Sequence, residues 1–232
     1  MRFVDRADAG RRLARRLEHL RGRNTVVLGL PLGGLVVAYE VSTALEAPLD
    51  VIVVRQLGLP YQPALAMGAI GEGGVTVTNP DVLGRAGLDP HEFRVVEKAE
   101  RAELGRRLHR LRAGRGPVSL LGRTAVIVDD GIATGSTARA ACQVARTRGA
   151  TRVGLAVPVG PPGGPERLAD VTDETVCLET PARFVSAGQW YDDFAPVTDA
   201  LVIDLLRRAA ARHSMRAHPA ADGSWRSCLS GI

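Results

Sequence analysis

Aromatic residues are scarce, at 4% of a chain of 232 residues. Hydrophobic residues nevertheless reach 45%, so the core must be built from Val, Leu, Ile and Ala side chains. A core of small aliphatic residues is typical of a parallel sheet that is covered by helices. The length favours one domain with at most a small appendage.

Cysteine and long apolar runs are also scarce. The spacing of Cys142, Cys177 and Cys228 fits neither a zinc site nor a disulfide framework, so a reducing cytoplasm is the expected compartment. The longest uncharged run, residues 24–39, contains Pro31 and is too short and too interrupted to span a bilayer. The charged first residues do not resemble a secretory signal, and we expect no membrane partner.

Lysine is nearly absent, because Lys98 stands alone among 30 basic residues. Eight arginines fall between Arg2 and Arg23, in a chain of net charge +5. Such a cluster can mark a surface that binds nucleic acid, or it can be the solvated face of a helix. Apart from Phe3, no aromatic residue lies among these arginines, which favours the helix and predicts no nucleic-acid partner.

The first part of the chain predicts a βαβ unit. An amphipathic helix is expected over residues 6–21, followed by a buried strand at 25–30, a helix at 34–46 and a strand at 50–55. A strand, a glycine-containing turn, a helix and a second strand imply parallel pairing.

Residues 56–88 differ from the rest, since they are rich in Gly, Pro and Asn. We expect a long mobile excursion there that contains a hairpin, because loops of this length are usually functional or disordered. Asp89 and Glu92 flank Pro90 in the pattern of a capping box, which predicts a helix that runs to about residue 112.

The second half alternates strands and helices, predicted at 124–128, 136–149, 153–157, 175–178 and 197–212. From residue 213 onward the pattern dissolves into polar and small residues. We therefore expect one domain over 1–212 and a flexible tail over 213–232.

The most informative segment is the turn that follows the strand at 124–128. Asp129 and Asp130 come directly after that strand, and a turn of small residues leads into the next helix. Ligands bind at this edge of open α/β sheets, and the free N–H groups and dipole of a helix's first turn attract a phosphate. Gly135 lets the backbone approach closely, so the turn predicts a phosphate site over residues 133–137.

The two carboxylates would repel a phosphate unless they face something else. Ribose hydroxyls and Mg²⁺ are the expected partners, since Mg²⁺ prefers carboxylate and phosphate oxygens. A generic strand–turn–helix with polar capping would explain the turn alone, but not the two acids beside it. The sequence lacks GxxxxGK[ST], and it lacks GxGxxG after a strand, which argues against a P-loop hydrolase or a dinucleotide site.

The segment Asp129-Asp130-Gly131-Ile132-Ala133-Thr134-Gly135-Ser136-Thr137 closely resembles the signature with which type I phosphoribosyltransferases bind phosphoribosyl diphosphate (PRPP). Leu30-Pro31-Leu32-Gly33-Gly34 is similar to that family's diphosphate loop. The resemblance covers roughly residues 1–210. It implies an α/β fold with a mainly parallel twisted sheet flanked by helices, a long flexible loop or hairpin insertion, and a small C-terminal hood built partly from about 160–195.

The resemblance also implies a reaction, in which a nitrogenous acceptor such as a nucleobase attacks C1 of PRPP and releases diphosphate. The enzyme would be a Mg²⁺-dependent pentosyltransferase, and a homodimer is expected. Asp129 and Asp130 would bind the ribose hydroxyls and Mg²⁺. The other implied roles are 5′-phosphate binding by Ala133, Thr134, Gly135, Ser136 and Thr137, diphosphate binding by Leu32, Gly33 and Gly34 with Arg55 as charge partner, and base stacking by Trp190 and Tyr191.

Two further expectations come from the resemblance, and a third comes from the charge pattern of a helix. A non-proline cis peptide bond should precede Leu32. The excursion over 56–100 would close as a lid that excludes water. The acidic and basic residues of the helix that starts at Asp89 predict a solvated face with i,i+4 pairs, although Arg106 or Arg107 could reach the diphosphate.

The sequence departs from related sequences where they usually carry a cation at Leu32, a lysine at Gln56 and an acid at Ala64. Charge-assisted hydrogen bonds contribute about 1.5–3 kcal/mol each, so the loss of two cations would weaken binding or turnover. The alternative is therefore a catalytically weakened protein that senses PRPP or a nucleotide, and a third is a piece of a longer enzyme. Ala133 replaces an aspartate of the hypoxanthine-guanine branch, which ranks a 6-oxopurine below other bases.

Overall fold

The computed structural model describes residues 2–217, apart from the side chains of residues 63, 64, 216 and 217. Within these residues the strands are, in chain order, β1 (Thr25–Gly29), β2 (Leu49–Val51), β3 (Val54–Leu59), β4 (Gln62–Gly71), β5 (Thr76–Thr78), β6 (Thr124–Val128), β7 (Arg152–Val159) and β8 (Glu174–Glu179). Five of them form a parallel sheet in the order β2-β1-β6-β7-β8. The predicted α/β fold with a mainly parallel sheet is confirmed.

The helices that flank the sheet are α1 (Arg6–Arg16), α2 (Gly33–Leu45), α3 (Pro80–Ala86), α4 (Pro90–Arg112), α5 (Ser136–Thr147) and α6 (Asp199–Ala217). Across residues 2–217, none of the helices is both long enough and apolar enough to cross a membrane. Side chains of α1, α2, α4 and α6 pack into one apolar cluster with the sheet, and side chains of α5 pack into a second. The clusters are almost entirely aliphatic, as the composition predicts.

The predicted strand at 50–55 is wrong, because the segment belongs to two different sheets. Strand β2 ends at Val51, and β3 begins at Val54 as the edge of an antiparallel sheet ordered β3-β4-β5. Together with α3, this sheet makes up the region that the sequence predicts to be a mobile excursion. Leu57, Met67 and Ile70 are fully buried against the main core, and their burial gives the region a fixed place.

The predicted start of α4 is correct, whereas the predicted ends of α1 and α6 are not. The capping box at Asp89 and Glu92 is present and begins α4. Helix α6 continues to Ala217, so the first five residues of the predicted tail, 213–217, are helical. The remainder of the predicted tail, 218–232, lies outside the described residues.

Candidate functional site

The two acids lie at the carboxyl edge of the parallel sheet. Strands β1 and β6 run in register, with Gly29 opposite Val128, so the loops after these strands start side by side. Asp129 and Asp130 follow Val128 directly, and the backbone N–H of Asp130 donates to Asp129 Oδ1 at 2.9 Å. Burial, and then the neighbouring Asp130 carboxylate, raise the pKa of Asp129 well above its ordinary value.

The predicted diphosphate loop packs directly on these acids. The peptide bond between Pro31 and Leu32 is cis, as predicted, and α2 begins at Gly33. A Cβ atom on Gly34 would lie 2.7 Å from the Cα of Asp129, and a Cβ on Gly33 would overlap the carboxylate of Asp130. Only glycine allows this approach, so the loop and the acid pair form one surface.

The predicted 5′-phosphate loop leads into α5 through a glycine. Gly135 is the N-cap residue, at a φ of +79° that favours glycine, and the N–H of Ser136 donates to Thr134 Oγ1 in a long contact of 3.4 Å. Ala133, Thr134, Ser136 and Thr137 are exposed. The hydroxyl oxygens of Thr134 and Ser136 lie 3.1 Å apart. The first N–H groups of a helix have no partner within it, so this exposed turn can bind an anion.

Two cavities flank this loop. One, of about 280 Å³, is lined by Leu30, Pro31, Val53, Val54, Arg55, Arg107 and Thr137. The other, of about 540 Å³, lies between the antiparallel sheet and α5, and Gln56, Thr134, Ser136, Arg139 and Gln143 line it. Arg55 and Gln56 line different cavities because neighbouring side chains of a strand point to opposite faces. A cation in place of Gln56 would therefore lie in the larger cavity, away from the diphosphate loop.

The cations near the diphosphate loop differ in their partners. Arg55 donates through Nε to Glu100 at 2.7 Å, so its charge is already shared. Arg106 pairs with Glu103 and is largely exposed, as the predicted solvated face requires. Arg107 lines the smaller cavity and has no ion pair among the described residues. The helical pattern names both arginines as candidates, and it cannot choose the one that faces the site.

Tyr191, which the resemblance predicts to stack on a base, is buried in this structure. The residue is 4% exposed and packs in a cluster with Phe3, Ala9 and Val159. Its hydroxyl donates to the backbone carbonyl of Asp130 at 2.6 Å. Trp190 is half-buried against the same cluster, and its Nε1 atom is buried without a hydrogen-bond partner in residues 2–217.

Arg6 reaches the site without any signal in the sequence beyond its membership of the basic N-terminal cluster. Its Nε atom donates to Asp130 Oδ2 at 2.7 Å, in a pair whose side chains are 11% and 17% exposed. The contact joins residues 124 positions apart, so no local pattern can predict it.

The acid pair provides a limited donor set for a metal. No group of three or more His, Cys, Asp or Glu side chains that could hold a metal occurs in the described part of the chain. Two carboxylates fit Mg²⁺, which is usually bound through one or two carboxylates together with substrate phosphates. They do not fit zinc, which takes four nitrogen or sulfur ligands in structural sites and three protein ligands in catalytic ones.

The chain has close relatives among known proteins. The family model described as the phosphoribosyl transferase domain matches residues 5–191. In two strains of Mycobacterium tuberculosis, a curated protein with a provisional phosphoribosyl transferase name is 56% identical over 207 residues, which are 89% of this chain and 47% of that protein. The chain thus spans about half the length of the curated relatives it matches.

A solved structure of a Thermus thermophilus protein is also similar. It is 42% identical with a TM-score of 0.81, and the match covers 90% of this chain and 99% of that one. The family match covers most of the chain, and both relatives are similar over nine-tenths of it. The chain therefore belongs to the phosphoribosyltransferase family and has the type I fold.

Proposed function

We propose that this protein transfers the 5-phosphoribosyl group of PRPP to a nitrogenous acceptor, most simply a nucleobase, and releases diphosphate. One observation carries the proposal: Asp129 and Asp130 touch the diphosphate loop on one side and lead into the phosphate loop on the other. A ligand with hydroxyls between two phosphoryl ends would match this surface. PRPP has that order of groups.

The binding mode follows from the order of the loops. The amides of 133–137 would bind the 5′-phosphate, and the ribose hydroxyls would donate to the carboxylates of Asp129 and Asp130. The diphosphate would lie at Leu32, Gly33 and Gly34, where α2 begins and a helix dipole attracts negative charge. Hydrogen bonds between hydroxyls and ionised carboxylates are short and strong, so the acids would fix the ribose ring.

Arg55 and Arg107 would neutralise the diphosphate. Both side chains line the smaller cavity together with Pro31 and Thr137. Arg107 has no competing ion pair among residues 2–217, while Arg55 would share its charge with Glu100. This pair of arginines supplies the positive charge that Leu32 does not.

The chemical step needs positioned groups more than reactive ones. The lone pair of the acceptor nitrogen forms the new bond to C1, the bond between C1 and the diphosphate oxygen breaks, and its electron pair leaves with the diphosphate. The proton lost from the acceptor nitrogen passes to water. The protein holds donor and acceptor in line and stabilises the charge that moves onto the diphosphate.

Asp129 and Asp130 would hold Mg²⁺, jointly with phosphate oxygens of PRPP. The absence of a third carboxylate or histidine in the described residues supports this shared mode over a site built by protein ligands alone. The bound ion would supply charge neutralisation for the departing diphosphate.

The acceptor site is the least constrained part of the proposal. Ala133 cannot serve as a carboxylate base for a purine, so acceptors other than 6-oxopurines are favoured. Trp190, in the predicted hood, keeps partial exposure beside the buried Tyr191. A base would stack on the exposed part of this ring.

The catalytically weakened sensor is the less favoured alternative. It depended on the missing cations at Leu32 and Gln56. The Gln56 side chain lines the larger cavity, and the Leu32 side chain packs against the main apolar core. Neither side chain lines the smaller cavity with Arg55 and Arg107.

Calorimetry and a turnover assay together test the proposal. We expect PRPP to bind in the presence of Mg²⁺ and diphosphate to be released with at least one acceptor from a panel of nucleobases and other nitrogen heterocycles. Binding without release for every acceptor would favour the sensor. Absence of PRPP binding under all Mg²⁺ concentrations would exclude both functions.

A double variant identifies the site. Asp129→Asn with Asp130→Asn should weaken PRPP binding by about two decades or more, because each charged hydrogen bond contributes about 1.5–3 kcal/mol. The matched control is Asp204→Asn, which removes an exposed pair with Arg208 on α6. Unchanged affinity in the double variant would refute the site.

A further inference from the structure

Arg6 joins three parts of the site that are far apart in sequence. It opens α1, and its Nε donates to Asp130 Oδ2 at 2.7 Å. A second guanidinium nitrogen donates to the backbone carbonyl of Ala195 at 2.8 Å. The Cζ atom lies 3.7 Å from the centroid of the Phe194 ring. The side chain is 11% exposed, so its orientation is fixed by contacts on several sides.

The diphosphate loop closes against the same guanidinium. A Cβ atom on Gly33 would lie 2.7 Å from Arg6 Nε and would overlap the Asp130 carboxylate. The first residue of α2 therefore sits directly over the Arg6–Asp130 pair. Any ligand group that reaches Gly33 approaches this pair as well.

Asp130 is held through both its side chain and its backbone. Arg6 binds one carboxylate oxygen, and the Tyr191 hydroxyl donates to the backbone carbonyl at 2.6 Å. Asp129 receives its hydrogen bond from the Asp130 backbone N–H and has no cation bound to it among the described residues. The two acids are thus unequal: one is paired with a guanidinium and the other is not.

We propose that Arg6 is a positioning residue that holds Asp130 for the ribose hydroxyls and serves as the resident counter-cation of the acid pair. With Arg6 in place, the pair attracts a divalent cation weakly until PRPP brings its own phosphates. The ribose part of this inference rests on the proposed function. The counter-cation part does not, because it concerns Mg²⁺ and the protein alone.

Charge and geometry separate this role from simple structural support. Removal of the positive charge takes a repelling cation away from the acid pair, which then attracts Mg²⁺ more strongly. The same change frees the Asp130 side chain and weakens the hydrogen bonds to ribose. A purely structural arginine would change stability without any gain in Mg²⁺ affinity.

The experiment compares the full chain with Arg6→Gln, Arg6→Lys and a control, Arg15→Gln, which removes an exposed arginine on the same helix. Calorimetry measures the affinity for Mg²⁺ alone and for PRPP at saturating Mg²⁺, and thermal unfolding verifies the fold. We expect Arg6→Gln to bind Mg²⁺ alone about tenfold more tightly and PRPP about tenfold more weakly, which is the size of one charged hydrogen bond. Arg15→Gln should match the original protein.

The lysine variant keeps the test decisive if Arg6→Gln does not fold. Lysine retains the charge but lacks the planar fork, so it should keep the original weak Mg²⁺ affinity and still bind PRPP more weakly. Unchanged Mg²⁺ affinity in Arg6→Gln, or Mg²⁺ affinity in Arg6→Lys that rises tenfold, would overturn the proposal. If the original protein binds no PRPP at all, the proposed function fails, while the Mg²⁺ comparison still decides the role of Arg6.

Discussion

The edge of the parallel sheet and the antiparallel unit, defined as residues 54–78, are held in place by different forces. At the edge, β1 and all but the first residue of β6 are buried, and glycines bring the loops into contact. The unit also buries apolar side chains such as Met67, but its connection to the sheet runs through buried charge. The centre of the site is therefore placed by close packing, whereas the antiparallel unit is held by apolar burial together with buried ion pairs.

The charged connection centres on Arg112, the last residue of α4. Its guanidinium donates to both oxygens of Asp50 on β2, at 3.0 and 2.9 Å, and to Glu72 beyond β4. Arg148 at the end of α5 pairs with Glu72 at 3.0 Å. Buried ion pairs add little net stability compared with apolar packing, but they are intolerant of the loss of one partner. A single substitution at Arg112 can therefore remove the main charged contact of the antiparallel unit.

Arg112→Met should show the largest effect. The carboxylates of Asp50 and Glu72 would remain buried without their shared cation, so the free energy of unfolding should fall by about 3–5 kcal/mol. In a domain of this size the melting temperature should drop by about 10 °C. Urea unfolding and thermal scans provide the measurement.

Arg110→Met is the matched control for that change. Arg110 lies on the same helix and pairs with Asp199, but its side chain is 63% exposed. We expect a change within about 0.5 kcal/mol. A loss below about 1 kcal/mol in Arg112→Met would mean that apolar contacts alone hold the antiparallel unit, and the contrast between the two regions would disappear.

Gly34→Ala tests the other side of the comparison. The new Cβ would lie 2.7 Å from the Cα of Asp129 and 2.8 Å from the carbonyl oxygen of Val128, and neither backbone atom can move aside cheaply. We expect a loss of about 1–3 kcal/mol in stability and a displaced acid pair that no longer binds PRPP. Gly105→Ala in α4, where a Cβ meets open space, should instead stabilise by about 0.5–1 kcal/mol. Equal effects at the two glycines would contradict the packing argument.

The edge of the sheet is the region that the sequence predicts best, because its signal is local. The strand, the two acids and the turn to Gly135 lie within fourteen consecutive positions, 124–137, and each residue has its own physical reason. The capping box at Asp89 is likewise short-range and is found as predicted, and the cis bond before Leu32, which only the family resemblance implies, is found as well.

The rest of the site depends on contacts between distant positions. Arg6 meets Asp130 across 124 positions, and Arg112 meets Asp50 across 62. An arginine in a basic cluster has the same local pattern whether it faces solvent or a carboxylate. Tyr191 shows the converse: an aromatic residue in the predicted hood can be the core of that hood. The hairpin predicted within residues 56–88 is present in the antiparallel unit, but its burial could not be predicted, because it comes from contacts with the main core.

Arg107→Gln tests whether α4 contributes to the site as well as to the attachment of the antiparallel unit. Arg107 lines the smaller cavity with Arg55, so loss of its charge should weaken PRPP binding about tenfold with little change in stability. Arg106→Gln is the control, since Arg106 is 65% exposed and pairs with Glu103. Titration calorimetry on both variants measures the difference. Weaker binding in Arg106→Gln than in Arg107→Gln would reverse the assignment of the two side chains.

Thr76→Val should have the smallest effect. It tests a hydrogen bond that an uncharged side chain of the antiparallel unit donates. The Thr76 hydroxyl donates to Glu97 Oε1 at 2.6 Å, and this hydrogen bond is the main cause that lowers the pKa of Glu97. A carboxyl whose pKa is lower in the folded protein stabilises it above the unfolded pKa, and that contribution is lost as the pH falls through the folded pKa. The variant should therefore lose about 1 kcal/mol near neutral pH and less near pH 3. Urea unfolding at both pH values measures this, with Thr78→Val as the control on the same strand; an equal loss at both pH values would show that the hydroxyl acts independently of the Glu97 charge.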